Sequence, residues 1–201
     1  MDDGAQRCAV LYPAIAEAAH RTGATTVGLV DVGPPGGPNL QVDRVGITYS
    51  DGRVLGDPAA AVQVSARLVG RVPVPAREVP EVVARVEVTG TLTDALAQVP
   101  AGALPVVTTT WTLARFTRED RLRFLQLLDA AATHRTVAWV SVEGVGVAPA
   151  VPTFGDRHAS GHSTTGLALF RHGTLHAEAL GRCWSRGRAL SWLASASEGR
   201  A

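Results

Sequence analysis

The chain has 201 residues, 46% of them hydrophobic and 18% charged, with a formal net charge of +1; this fits one packed globular domain and leaves no electrostatic footprint for nucleic acid or an anionic membrane surface. All 19 basic residues are arginine, which excludes a P-loop lysine, a kinase strand lysine and a Schiff-base amine. Cys8 and Cys183 lie far apart, in neither a zinc-ribbon nor a disulfide-scaffold spacing, and read as two buried, unbridged thiols. With no leader pattern and no apolar run of about 20 residues, a cytoplasmic protein with no membrane partner is expected.

Asp2 and Asp3 open a helical pattern in which Cys8, Leu11, Ile15 and Ala18-Ala19 share one face, and Gly23 ends it. This N-terminal helix (residues 1–24) is expected to pack across the first strand, Thr25 to Val32. A glycine- and proline-rich loop follows. Leu40 to Arg44 reads as one helical turn, and Val45 to Ser50 as a strand returning over Asp51-Gly52 into Arg53 to Leu55. Ala61 to Val69 fits either a strand or a short helix. Pro73, Pro75 and Pro80 make 70–82 a connector, and Arg85 to Thr89 a short strand.

Thr91 or Thr93 caps a helix over Asp94 to Gln98, and Leu104 to Thr110 is a β-branched strand. Thr117 caps a helix with Glu119-Asp120 in its first turn and Leu122, Leu125 and Leu128 behind them. Thr136 to Glu143 is the next strand, and 144–164 a long loop. His172-Gly173 joins Thr165 to Phe170 with Thr174 to Leu180 as a hairpin. Ser185 to Ala194 reads as a final helix, with Leu190, Trp192 and Leu193 apolar, and 195–201 as a frayed tail. Strands alternating with helices predict a single α/β domain over 1–201, with a mostly parallel sheet edged by the antiparallel hairpin.

The loop after the first strand carries the chemistry. Asp31-x-Gly33-x-Pro35-x-Gly37 resembles the opening motif of Rossmann-class methyltransferases, an acid at the end of strand one followed by glycines at alternate positions. Pro35 stands at the middle glycine. Pro34, Pro35 and Pro38 have no N–H to offer a pyrophosphate, which makes this a poor dinucleotide loop. A ligand held by shape, by the amides of Gly36, Gly37 and Asn39 and by the Asp31 carboxylate is less affected. The competing reading is a rigid surface turn. Thr109, Thr110 and Trp111 end a strand where open α/β sheets hold ligands, or else are strand filler and a core tryptophan. Glu143 ends another strand and is the best-placed general base, or else a turn residue. His158-x-x-x-His162 with Asp156 has metal-pair spacing, but the surrounding glycines and serines favour a solvated loop. No Gly-x-Ser-x-Gly elbow is present for a hydrolase.

Gln6-Arg7-Cys8-Ala9-Val10-Leu11-Tyr12-Pro13-Ala14, Asp31-Val32-Gly33 through Gly37-x-Asn39-Leu40-x-x-Asp43-Arg44, Gly56-Asp57-Pro58, Trp139-Val140-Ser141-x-Glu143-Gly144 and residues 182–193 occur in an order that resembles a bacterial family, domain of unknown function 2332. The resemblance implies a Rossmann-like, methyltransferase-like fold. Taken with the loop motif and the strand-end positions, such a fold would place an S-adenosylmethionine edge at Asp31, Gly33, Gly36, Gly37 and Asn39, a pocket lined by Thr109, Thr110 and Trp111, and Glu143 near the chemistry. Four departures from the family stand out. The chain starts almost at the Arg-Cys-Ala segment, which a helical region precedes in the family. Residues 70–90 look too short for the family's longer block and its aspartate-bearing strand, leaving Glu87 as the nearby substitute. Thr109 and Arg115 stand where the family tends to show a histidine and a tyrosine. The function expected is therefore a small-molecule methyltransferase-like protein, or alternatively a non-catalytic binding or interaction module that has lost the cofactor site and self-associates through uncovered apolar surface.

Overall fold

The computed structural model describes residues 4–33 and 36–194. Asp2 and Asp3, Pro34 and Pro35 and the tail over 195–201 lie outside the described residues.

Helix α1 (Cys8–Thr22) follows a short 3-10 turn, Ala5–Arg7, and stops at Gly23, whose φ of 66° is left-handed as a helix-ending glycine requires. The sequence shows one apolar face, yet every residue from Cys8 to Ala19 is buried. A helix buried all round must be enclosed. Ten strands among the described residues supply the enclosure, forming one sheet in the order β3-β2-β4-β10-β9-β8-β7-β6-β1-β5. They are β1 (Thr26–Val32), β2 (Val45–Tyr49), β3 (Val54–Gly56), β4 (Val62–Leu68), β5 (Glu81–Glu87), β6 (Leu104–Thr110), β7 (Val137–Gly144), β8 (Ser163–Arg171), β9 (Thr174–Trp184) and β10 (Ala189–Trp192).

The sheet curls around α1, which packs on β7, β8 and β6 on one flank and on β2 and β4 on the other, rather than principally across β1. Its two end strands approach each other, since Gly56 of β3 and Glu81-Val82 of β5 line one shallow pocket beside Tyr12. A second layer covers the outer face of the β5-β1-β6-β7-β8 half. It consists of α2 (Leu92–Ala97), capped by Thr91, and α3 (Arg118–Ala131), capped by Thr117. The fold is thus mixed α/β, with parallel pairings of β1 with β5 and β6, of β6 with β7, and of β4 with β2 and β10.

Two expectations are corrected, and one strand starts earlier than expected. Ser185 to Ala194 is not a helix. Ser185, Arg186 and Gly187 take φ of 48°, 56° and 97°, which turns the chain back, and β10 then fills a slot between antiparallel β9 and parallel β4. The C-terminal hairpin β8–β9 is central in the sheet, because β2, β3 and β4, inserted between β1 and β5 in sequence, extend the sheet beyond it. The short strand expected over Arg85 to Thr89 is β5, which lies beside β1 and carries Glu87 and no aspartate. β5 begins at Glu81, four residues before the expected start, where the parallel ladder with Thr26 onward takes up the chain. The 61–69 segment resolves as strand β4. No helix among the described residues is long and apolar enough to cross a membrane.

Candidate functional site

The carboxyl ends of β1, β5 and β6 lie side by side, with Asp31 in register with Glu87 on one side and Thr108 on the other. Strand alternation decides which side chains meet. Val27 and Leu29 of β1 and Leu104 and Val106 of β6 face α1, and so Asp31, Thr108 and Thr110 do too. The buried Asp31 Oδ1 accepts from Asn39 Nδ2 at 2.7 Å and from the Thr108 hydroxyl at 2.7 Å. Asn39 comes from the 3-10 stretch Pro38–Arg44 and also donates to Thr110 Oγ1 at 3.1 Å, and Arg7 donates to the same oxygen at 3.0 Å. Burial pushes the Asp31 carboxyl up, opposed by the Asn39 and Thr108 donors and the charge of Arg7. Asn39 Oδ1 is buried and has no hydrogen-bond partner among the described residues.

Gly33 sits between Asp31 and Thr112 with room for a Cβ, so sterics do not demand glycine there. Gly36 does need glycine, because its φ is 76°. The backbone N–H groups of Gly36 and Gly37 both donate to the Glu87 carboxylate at the end of β5. Beside them opens a cavity of about 440 Å³ between the loop, β5 and the start of α1. Gly36, Gly37, Leu40, Arg44, Arg85 and Glu87 are among the residues that line it. Arg85 is committed to Asp43 in a bidentate pair at 2.7 and 2.9 Å, which ties the 3-10 stretch to β5. Arg44 is exposed and has no ion-pair partner among the described residues.

The other expected residues are divided between two faces. Thr109 and Glu143 point away from α1. Thr109 Oγ1 accepts from Trp139 Nε1 at 3.0 Å, and the Trp139 ring meets Phe124 of α3 edge-on at 5.2 Å. Glu143 Oε1 accepts the backbone N–H groups of Thr112 and Leu113 at 3.0 and 3.1 Å, tying down the loop after β6, while its Oε2 is buried with no hydrogen-bond partner among the described residues. Burial raises the Glu143 carboxyl, opposed by those two amides, the Thr109 hydroxyl and the charge of Arg121. Trp111 leaves β6 with a left-handed φ of 53°, donates from its indole N–H to Ser163 Oγ at 2.8 Å and lies 5.5 Å below the Arg7 guanidinium. The structure therefore brings together Asp31, Asn39 and Thr110, with Gly33, Gly36 and Gly37 beside them. It places Thr109 and Glu143 across the sheet.

Sequence reasoning passed over Thr108 and Arg7 as site residues. Thr108 shares strand parity with Thr110, and Arg7 is a cation entering an otherwise apolar helix; both signals were present. His162 faces Asp156 at 2.8 Å, and Arg182 holds that carboxylate in a bidentate pair. Among the described residues no group of three or more His, Cys, Asp or Glu could hold a metal ion. Cys8 and Cys183 are buried and form no disulfide, and burial pushes the Cys183 thiol up to about 12.

Comparison with known families gives one result. The model of a family described as an uncharacterized protein conserved in bacteria (DUF2332) matches residues 3–89 and 76–192. The chain belongs to that family. The two matched segments overlap over 76–89, where the proline connector runs into β5. No curated protein and no solved structure matches the chain.

Proposed function

Within that bacterial family, we propose that this chain binds S-adenosylmethionine in the cavity beside Gly36 and Gly37, as a cytoplasmic, small-molecule methyltransferase-like protein. The observation that carries the reading is the cavity itself. It lies at the carboxyl edge of the parallel strands, is floored by a glycine loop, and has a carboxylate at the end of the strand next to β1. These are the features that nucleoside-type ligands use in open α/β sheets. The volume of about 440 Å³ lies in the range of small-ligand sites. Glu87 would accept from ribose hydroxyls, and Gly36 would let the backbone approach. When bound, the ligand supplies an activated methyl group. The chain's own contribution is positioning, for which few acid–base groups are needed.

Titration calorimetry tests this with S-adenosylmethionine and its demethylated product. Saturable binding is expected, weakened at least about tenfold by Glu87→Ala and by Gly36→Val. A Val62→Glu change on the cavity wall should act likewise. Heat unchanged by all three variants removes the site from the reading.

A second reading is favoured by a specific observation. The Asp31 and Glu87 carboxylates are already taken by protein donors, and Glu143 faces the other layer. A non-catalytic binding module would show no heat at millimolar ligand with intact folding. Val54 and Val62, exposed at the β3 end of the sheet, would then be its contact surface, and light scattering should show a dimer or larger species.

A further inference from the structure

On the face of β1 and β5 opposite the cavity above, a separate groove of about 370 Å³ runs between the start of α2 and the loop leading into α3. Its floor is Val32, which ends β1, and Val88, the residue after β5, on the α2–α3 side of the sheet. Phe116, Phe124 and Leu127 form one wall, and Leu92 of α2 the other. Gly90, with open space where a Cβ would stand, leaves the mouth clear. Leu127, on the groove wall, is 36% exposed, so this face of α3 keeps apolar surface in water.

The polar groups at the rim are unbalanced. Arg115 and Arg123 flank the groove, and neither guanidinium has a hydrogen-bond or ion-pair partner among the described residues. The one carboxylate at the rim, Asp120, turns back to accept from the Thr117 hydroxyl at 2.7 Å in the cap of α3. An apolar trough with two uncommitted guanidiniums at its mouth is complementary to a molecule with an apolar body and an anionic end.

We propose that this groove binds a medium-chain monocarboxylate, its hydrocarbon on Val32, Val88 and Phe124 and its carboxylate between Arg115 and Arg123. The trough is at the small end of ligand sites and does not suit the paired acyl chains of a membrane lipid. The inference does not depend on the adenosyl-ligand reading, because the two sites share no lining residue.

Decanoate and its neutral analogue 1-decanol, each below its aggregation threshold, are the probes, with binding followed by calorimetry on the full chain. Saturable decanoate binding is expected, with decanol weaker. The Arg115→Gln/Arg123→Gln double variant should lose about tenfold or more in decanoate affinity and leave decanol unchanged. Leu127→Asp should abolish both, with circular dichroism reporting an intact fold, since the position is on the surface. Glu87→Ala should leave decanoate binding untouched. Decanol binding as tightly as decanoate, full decanoate affinity in the arginine double variant, or no saturable binding of either probe would each overturn the proposal. So would capture of the chain by phosphatidylglycerol vesicles in preference to free decanoate, which would make the groove a membrane contact.

Discussion

Gly181→Ala is expected to cost about 3 kcal/mol or more of folding stability, read from urea midpoints at unchanged slope. Gly181 lies on β9 opposite Trp192, and a Cβ there would stand 2.1 Å from the backbone carbonyl oxygen of Ser191. The obstacle is backbone rather than a flexible side chain, so relief means opening the β9–β10 ladder. That ladder holds Leu190 and Trp192 against α1 and joins β9 to β4. Losing it would separate the two halves of the sheet around the helix. Gly102→Ala is the control. Its Cβ meets nothing within 4 Å, and a change within about 0.5 kcal/mol is expected. Equal stabilities of the two variants would contradict the β10 slot described above.

The second large effect belongs to Glu143 and depends on pH. Burial raises its carboxyl in the folded state above the ordinary value of 4.5. Between the unfolded and folded values, the native chain keeps a proton that the unfolded chain has lost. The contribution of Glu143 is therefore fully present below the unfolded value and is lost as pH rises through the folded one. Glu143→Gln keeps an oxygen to accept from Thr112 and Leu113 and stays neutral throughout. Its stability relative to the parent should increase with pH across that window, by at most about 1.4 kcal/mol per unit. Asp31 is shifted in the same direction, but it is present in both proteins and cancels from the difference. Glu143→Ala should instead destabilise at every pH by about 3 kcal/mol, since two backbone amides lose their acceptor. Parallel pH profiles for the parent and the Gln variant would show that the carboxyl is ionised in both states. In either outcome Glu143 acts by fixing the loop that carries Thr112 and Leu113, a positioning role on the face away from the glycine loop.

Segments whose reading was local were recovered closely. Leu104–Thr110 matches its expected bounds, because a short β-branched run has few alternatives to a strand. Thr117 caps its helix through a side-chain oxygen accepting from the Asp120 N–H, as expected, and of Thr91 and Thr93 it is Thr91 that caps the other, accepting from the Asp94 N–H. The His172-Gly173 turn follows from two adjacent residues at φ 45° and 75°. Ser185–Ala194 departs from the expected helix because tertiary contacts overrode periodicity. Leu190, Trp192 and Leu193 suit a helix face almost as well as a strand face, and only the slot between β9 and β4 selects the strand.

The same division governs the site. Sequence alone determined that an acid and a glycine loop follow the first strand, that a helical turn follows the loop, and that Thr109, Thr110 and Glu143 stand at strand ends. These are properties of neighbouring residues, set by backbone propensity and turn chemistry. Tertiary structure decided which of them meet. Side chains alternate across a strand, so a one-residue difference in parity sends Thr110 toward Asp31 and Thr109 to the opposite layer. Parity relative to a neighbouring strand exists only once register is set, and register comes from pairing between segments as distant as β1 and β6. The enclosure of α1 and the placing of Glu87 against the loop amides have the same origin: both require a sheet that inserts β2–β4 far from β1 in space while β5 returns to its side.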